Sequence, residues 1–199
     1  PRSRLRSHAR ESIPAAMTRD HQALCGQVLD GRYRLDALVA EGGFGVVFRA
    51  EHLALKKPVA VKVLKGQGLD SERARREATE RFRAEAEVVA RLEHPAVVRV
   101  LDFGVTPAPD GEDLFWMALE WAEGKSLHDD LEERRGTPGR APREVLALLR
   151  PVLAALAKAH AMGLAHRDIK PRNLMVRPDA DAGLSGEVPV KILDFGIAK

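Results

Sequence analysis

The sequence predicts an α+β protein of two lobes, a five-stranded antiparallel sheet with one helix followed by a mainly helical lobe. Two observations predict this division. Between residues 33 and 119 the apolar residues fall in five strand-length segments, interrupted by one charged helical segment. After Gly124 they recur every three or four residues, which is typical of helices. We therefore expect an N-terminal arm at 1–30, a first lobe at 31–122 and a second lobe at 123–199.

The strands of the first lobe follow from alternation and from turn residues. Residues 33–39 alternate apolar and polar side chains, and the glycine-rich turn at 41–45 leads into a return strand at 46–52, so the two strands form a hairpin. Pro58 opens a third strand. A helix at 71–92 carries opposite charges four residues apart, which stabilise it. The remaining strands of the five are 59–64, 97–105 and 114–119.

The second lobe contains two predicted helices and two short strands. Ser126 is a suitable N-cap for a helix that ends near Arg135. A longer helix at 143–161 has apolar residues at helical spacing and is expected to be largely buried, with a kink at Pro151. Its apolar positions are Val145, Leu148, Leu149, Val152, Leu153 and Leu156. The predicted strands are Leu174–Val176 and Val190–Leu193, on either side of a polar loop.

Composition excludes several classes of protein. The net charge of +3 lies entirely in residues 1–16, and the rest of the chain has 28 basic and 28 acidic side chains. A neutral body gives no electrostatic reason to expect a nucleic-acid partner. No apolar run reaches the roughly 18 residues that a membrane-spanning helix needs. The single cysteine, Cys25, rules out an internal disulfide and fits a reducing, cytoplasmic compartment.

Two segments of the first lobe suggest contacts with phosphate. The hairpin turn Gly42-Gly43-Phe44-Gly45 lets backbone N–H groups approach phosphate oxygens, although glycine-rich hairpins are more often simply turns. Lys62 lies inside an apolar strand, where a buried ammonium needs a partner unless it snorkels from an edge strand. At about 100° per residue, Glu85 falls on the apolar stripe of the helix and Glu87 on the solvent side. We therefore expect Glu85 to meet Lys62, the alternative being a surface pair with Arg81.

Two segments of the second lobe carry most of the chemistry. The segment 166–173 offers Asp168 as a base or hydroxyl-orienting group, Lys170 for developing negative charge and Asn173 as an oxygen ligand for Mg²⁺. Asp194, in Asp-Phe-Gly at the end of an apolar strand, suits a metal ion that bridges phosphates. The same tripeptide begins at Asp102, but it lies between strands of the first lobe and we assign it no catalytic role.

These motifs together resemble a eukaryotic-type protein kinase of the serine/threonine class, in the form found in bacteria. The resemblance covers residues 31–199 and keeps the order glycine-rich hairpin, Val-Ala-Val-Lys, helix glutamate, His-Arg-Asp-x-Lys-Pro-x-Asn and Asp-Phe-Gly. A lysine at position 170, two residues after Asp168, resembles the pattern of serine/threonine kinases rather than that of tyrosine kinases. The resemblance implies a two-lobed protein-kinase-like fold with ATP and Mg²⁺ as cofactors, and protein serine or threonine hydroxyls as acceptors.

The resemblance also implies a role for each matching residue. Lys62 would hold the α- and β-phosphates and pair with Glu85, Asp168 would accept or orient the acceptor hydroxyl, and Lys170 would stabilise the transferred phosphoryl group. Asn173 and Asp194 would bind the magnesium ions. The nucleotide would lie among Val39, Gly42, Gly43, Phe44, Gly45, Val47, Ala60, Leu119, Glu120, Ala122 and Met175, with Leu119 as gatekeeper and 120–122 as the hinge.

The sequence departs from the family pattern at its end. It stops three residues after Gly196, before the activation segment and most of the helical lobe that the family pattern continues with. The resemblance therefore implies an incomplete second lobe. We expect this piece by itself to transfer phosphate poorly to proteins, because nothing after Gly196 positions the acceptor. The alternative function is a truncated kinase fragment that acts only as an ATP-binding or interaction module.

Overall fold

The structure is a computed structural model that describes residues 21–42, 45–64, 72–107, 113–177 and 189–195. The expectations for the arm at 1–20, for Gly43 and Phe44 and for the polar loop at 178–188 lie outside the described residues. No helix in the described ranges is long and apolar enough to cross a membrane. The elements are β1 Val28–Leu29, β2 Tyr33–Glu41, β3 Gly45–His52, β4 Lys57–Leu64, α1 Glu72–Ala90, β5 Val100–Pro107, β6 Asp113–Glu120, β7 Lys125–Ser126, α2 Leu127–Glu133, α3 Pro142–Ala161, β8 Leu174–Val176 and β9 Val190–Ile192.

The first lobe is an antiparallel sheet of six strands in the order β1-β2-β3-β4-β6-β5. The prediction of five strands was wrong by one, since β1 pairs with β2 through Val28 and Leu29. Two residues are too few to show an alternating pattern in the sequence. Leu29 is nevertheless fully buried, and the left-handed Asp30 and Gly31 turn the chain back from β1 into β2.

The sheet curls so that its two end regions meet around Trp116. The Trp116 indole is fully buried, donates to Thr106 Oγ1 at 3.0 Å and packs on the Tyr33 ring. The Tyr33 hydroxyl in turn donates to Asp102 Oδ2 at 3.0 Å, and Arg32 pairs with the same carboxylate at 2.6 Å. Asp102 lies within β5 rather than between strands of the first lobe as expected. Its contacts give it a structural role in closing the sheet.

Helix α1 has the predicted orientation at the positions whose side chains are described. Ala86 and, just after the helix, Leu92 are buried, while Glu87 is exposed and pairs with Arg83 at 3.2 Å. The expectation that Glu87 faces solvent is therefore confirmed. The Glu85 side chain lies outside the described part of the structure.

The second lobe packs its helices beside the small antiparallel sheet β7-β8-β9. Ser126 caps α2 as predicted, accepting the N–H of Asp129 at 3.1 Å. The expectation that the long helix is largely buried was wrong. Only one face of α3 is covered by the described elements, through Leu148, Val152, Ala155 and Ala159. Leu156 is half-buried, whereas Val145, Leu146, Leu149 and Leu153 are exposed. Val145 and Leu149 line a groove of about 290 Å³ between α2 and α3.

Backbone hydrogen bonds join the two lobes, in addition to the segment of chain that links β6 to β7. Val97, between α1 and β5, forms an isolated parallel bridge with Ile192 of β9. The Ile192 N–H donates to Ala96 O at 2.7 Å, and the Val98 N–H donates to Ile192 O at 3.1 Å. Leu92, Ala96 and Val97 consequently belong to the core of the second lobe. This junction holds β9, and the residues that follow it, against the first lobe.

Candidate functional site

Lys62 lies at the junction and is paired across it. β4 has β3 on one side and β6 on the other, so Lys62 does not snorkel from an edge strand. The residue is only 8% exposed, and its Nζ donates to Asp194 Oδ1 at 2.8 Å. A buried ammonium is costly unless a carboxylate compensates it, and Asp194 supplies that carboxylate from the second lobe. The expected contact between Lys62 and Glu85 stays a prediction.

Three residues that the sequence singled out in the segment 166–173 lie together. Asn173 Nδ2 donates to the backbone oxygen of Asp168 at 2.9 Å and to its Oδ2 at 3.0 Å. Lys170 Nζ donates to the same Oδ2 at 2.7 Å. The Leu193 N–H donates to Asn173 O at 2.9 Å, so the loop is tied to the residue just before Asp194. Carboxylate, ammonium and amide groups thus converge at one end of β9.

His166 is a member of this site that the sequence argument gave no role. Its ring is buried, its Nδ1 accepts the Asp168 N–H at 3.3 Å, and its Nε2 donates to Leu193 O at 2.9 Å. Burial lowers the pKa of His166, which favours the neutral ring that this pair of bonds requires. The ring also packs on Phe195 with the ring centres 4.6 Å apart. The signal available in the sequence was its place two residues before Asp168.

Two residues of the site have left-handed backbones. Arg167 has φ of 61° and Asp194 has φ of 48°, although neither is glycine. Such a conformation costs free energy and is found where the surrounding contacts hold it, commonly at functional sites. At Asp194 the holding contacts are the ion pair with Lys62 and the packing of Phe195 on His166.

The strand register defines the expected adenine slot. Val47 lies opposite Lys62 and Ala60 lies opposite Leu119, so three strands contribute neighbouring positions. Met175 of β8 lies on the other side of the lobe junction, opposite Lys191. The slot residues are half-buried at Val47, Ala60, Leu119, Glu120, Ala122 and Met175, and exposed at Val39. Nucleotide contacts of these residues stay predictions.

The glycine-rich hairpin has a packing requirement as well as an expected role with phosphate. The Gly42 N–H donates to Gly45 O at 2.9 Å, which closes the turn. A Cβ at Gly45 would lie 2.5 Å from Val63 O of the neighbouring strand, too close for any other residue. Gly45 is therefore required by the approach of β3 to β4, whether or not its N–H meets a phosphate.

The residues at the end of β9 fit magnesium chemically. Magnesium in nucleotide sites is bound by one or two protein oxygen ligands, with phosphate and water oxygens completing the octahedron. Asp194 offers a carboxylate and Asn173 an amide oxygen, because the Asn173 amide nitrogen is committed to Asp168. Lys62 now holds Asp194 Oδ1, and phosphates would provide Lys62 with an alternative anion.

The chain is similar in sequence to a known family and to curated proteins. The protein kinase domain family matches residues 33–199. The chain is 42% identical over 182 residues to serine/threonine-protein kinase pkn3 of Myxococcus xanthus, covering 92% of this chain and 30% of that protein. It is 40% identical over 184 residues to PknL of Mycobacterium tuberculosis, covering 92% of this chain and 41% of that protein.

Solved structures are similar over most of the chain. The crystal structure of the Mycobacterium tuberculosis PknI kinase domain is 30% identical, with a TM-score of 0.63, over 88% of this chain and 63% of that chain. The chain therefore spans between 30% and 41% of the length of these curated relatives, and less than two thirds of the PknI kinase domain.

Proposed function

Because the chain belongs to the protein kinase domain family, we propose that it is the ATP-binding and catalytic-loop part of a serine/threonine protein kinase. The observation that carries the proposal is the ion pair between Lys62 and Asp194 beside the cluster of Asp168, Lys170 and Asn173. A buried cation, two carboxylates and an amide in this arrangement suit the phosphates of a nucleotide and an attacking hydroxyl. The need for ATP supports a cytoplasmic location, or the cytoplasmic side of a membrane protein if a longer chain carries a membrane helix downstream.

The nucleotide end of the site would work by charge neutralisation. Lys62 would bind the α- and β-phosphates, and Asp194 and Asn173 would hold Mg²⁺, which would offset the charge of the phosphates. The ion pair of Lys62 with Asp194 keeps both groups at the position where the phosphates arrive. Since the two groups come from opposite lobes, binding of the phosphates depends on the lobe junction.

The acceptor end of the site would work by orientation. Asp168 Oδ2 accepts bonds from Lys170 and Asn173, which fix the carboxylate where a serine or threonine hydroxyl can donate to it. Lys170 stabilises negative charge on the transferred phosphoryl group. The hydroxyl oxygen bonds to the γ-phosphorus as the bond to the bridging oxygen of ADP breaks, and the hydroxyl proton passes to Asp168 or to water.

Nucleotide binding tests the first half of the proposal. We expect calorimetric titration to show Mg²⁺-dependent binding of ATP that Asp194→Asn weakens by at least about tenfold, equivalent to about 1.4 kcal/mol. Asp102→Asn is the matched control, because it makes the same change in the same tripeptide. Asp102 contacts Tyr33 and Arg32, so its loss should lower stability and leave the affinity unchanged. Equal losses in the two variants would show that the wrong Asp-Phe-Gly was chosen.

Phosphoryl transfer tests the second half. Labelled ATP is incubated with the chain and a generic basic protein, and the product is hydrolysed to identify the phosphorylated amino acids. Phosphoserine or phosphothreonine that disappears in Asp168→Asn supports the proposal. ATP binding without any such transfer would agree with the expectation that this piece by itself transfers phosphate poorly, and would favour the alternative, a nucleotide-binding module. Label on tyrosine, or transfer that persists in Asp168→Asn, would contradict the assignment of the acceptor site.

A further inference from the structure

A second ion pair crosses the lobe junction at the hinge, away from the phosphates. Lys191 Nζ donates to Glu120 Oε1 at 2.6 Å. The other carboxylate oxygen of Glu120 accepts the Arg99 N–H at 3.3 Å, and the Arg99 Nε lies 3.6 Å from it. Glu120 belongs to the first lobe and Lys191 to the second. None of the expected roles of the site residues uses the Glu120 side chain or Lys191.

The register places this pair between the two sides of the expected adenine slot. Glu120 ends β6 and follows Leu119, which lies opposite Ala60 on the first-lobe side. Lys191 is the middle residue of β9 and lies opposite Met175 on the second-lobe side. The ion pair thus joins the strand that leads into the hinge to the strand beneath the slot. Its length helps set the separation of the two sides.

Backbone hydrogen bonds fix the chain at both residues of this ion pair, which distinguishes the pair from ordinary surface ion pairs. The Glu120 N–H donates to Arg99 O at 2.9 Å, and the residue after Lys191 donates to Ala96 O at 2.7 Å. The side chains of Lys191 and Glu120 are only 21% and 23% exposed. In contrast, the Lys56 side chain is 72% exposed and pairs with Glu51 at 3.6 Å within one hairpin. Exposed pairs contribute little because ordering two mobile side chains offsets the attraction.

We propose that Lys191 is a positioning residue that, through Glu120, fixes the hinge strand at the distance from Met175 that adenine requires. The inference rests on the proposed function and deepens it. β9 and the residues just after it then make two cross-lobe ionic contacts of different character, one through Lys191 and one through Asp194. When a nucleotide binds, Lys62 would contact the phosphates and Asp194 the metal in place of each other. Lys191 would keep its contact with Glu120 both with and without the nucleotide. A slot held at its bound width binds nucleotide more tightly, because less of the protein population must rearrange.

The test compares Lys191→Met with Lys56→Met, which removes the same charge from a pair inside one lobe. Binding of a fluorescent N-methylanthraniloyl-ADP is measured at equilibrium and by stopped flow. We expect Lys191→Met to weaken the affinity about fivefold, mainly through slower association because a smaller fraction of the protein has the slot ready, and Lys56→Met to have no effect. Adenosine, which has no phosphates, should lose the same factor in competition. Lys191→Arg keeps the charge and should restore most of the affinity.

A double variant identifies the route of the effect. In a Glu120→Gln background, Lys191→Met should cause little further loss, because the contact is already broken. Full additivity of the two losses would overturn the pairing mechanism. Unchanged or tighter binding in Lys191→Met would overturn the proposal that the pair holds the slot ready for adenine. A fall in folding stability at unchanged affinity would reduce the pair to a structural contact and likewise overturn it.

Hydrogen exchange separates this inference from the proposed function. Amides of residues 121–124 should exchange faster in Lys191→Met than in Lys56→Met without any nucleotide, because the strand leading into them has lost its anchor. If the wild-type chain binds no nucleotide, the proposed function fails, and the exchange difference still decides whether Lys191 positions the hinge. Equal exchange in the two variants would refute it.

Discussion

Asp130 offers the most quantitative prediction about the second lobe. Its side chain is 2% exposed and contacts three cations: Arg140 as a close partner, Lys125 at 3.3 Å and Arg134 at 3.3 Å. The hydrogen bond from Arg140 lowers the pKa of Asp130 to about 2 from 3.8, and outweighs burial, which acts in the opposite direction. The cluster ties α2 to the loop that leads into α3. We therefore expect Asp130→Asn to loosen this corner.

The size of the effect follows from the pKa shift. Each pKa unit corresponds to about 1.4 kcal/mol between the two protonation states, so the charged carboxylate stabilises the fold by about 2 kcal/mol. The folded pKa is depressed, so this contribution is complete above the unfolded value near pH 4 and is lost as the pH falls to about 2. Asparagine resembles the protonated acid. Asp130→Asn should thus cost about 2 kcal/mol at pH 7 and almost nothing near pH 2.

Urea unfolding, followed by tryptophan fluorescence between pH 7 and pH 3, measures this difference. Glu132→Gln is the control, because Glu132 lies on the same helix but pairs with Arg135 on the exposed surface. We expect the control to change the free energy of unfolding by less than about 0.5 kcal/mol at every pH. A loss in Asp130→Asn that does not shrink as the pH falls from 4 to 3 would refute the electrostatic argument. A loss no larger than that of the control would do the same.

Two further predictions concern the first lobe. Glu85→Gln should weaken Mg·ATP binding in calorimetry. Glu87→Gln, which removes a carboxylate from the exposed pair with Arg83, should leave that binding unchanged. The reverse result would show that the predicted orientation of the helix is wrong. Gly104→Ala should lower the free energy of unfolding by about 1–3 kcal/mol, because its Cβ would lie 2.4 Å from the Trp116 ring. An unchanged midpoint of thermal unfolding would contradict that close packing.

Local sequence patterns predicted the helices and strands better than they predicted which faces of those elements are buried. The hairpin at 33–52, the cap at Ser126 and the short strands at 174 and 190 depend on neighbours in sequence, and all are present. β1 was missed because two residues carry no periodicity. The burial of α3 was overestimated because an apolar helix face does not reveal what packs on it. The described elements cover the face that contains Val152 and leave Leu153 64% exposed.

The site shows a similar division between what lies near in sequence and what does not. Asp168, Lys170 and Asn173 lie within six residues of one another, and the sequence predicted their convergence. His166 was missed because its partners, Leu193 and Phe195, are supplied by a distant segment. The ion pair between Glu120 and Lys191 was missed for a stronger reason. Lys191 lies in the other lobe, and no spacing along the chain relates the two residues.

The two Asp-Phe-Gly segments show why sequence context decides what a motif does. Asp102, a residue of β5, is bound by Arg32 and by the Tyr33 hydroxyl. Burial together with that hydrogen bond raises the pKa of Tyr33 to about 12. The Gly104 position admits no side chain because Trp116 lies against it. Asp194 lies in a different environment. Its backbone is left-handed, and its carboxylate pairs with Lys62 across the lobe junction. Identical tripeptides thus carry a structural carboxylate in one place and a candidate metal ligand in the other, because the partner of each is fixed by strand order.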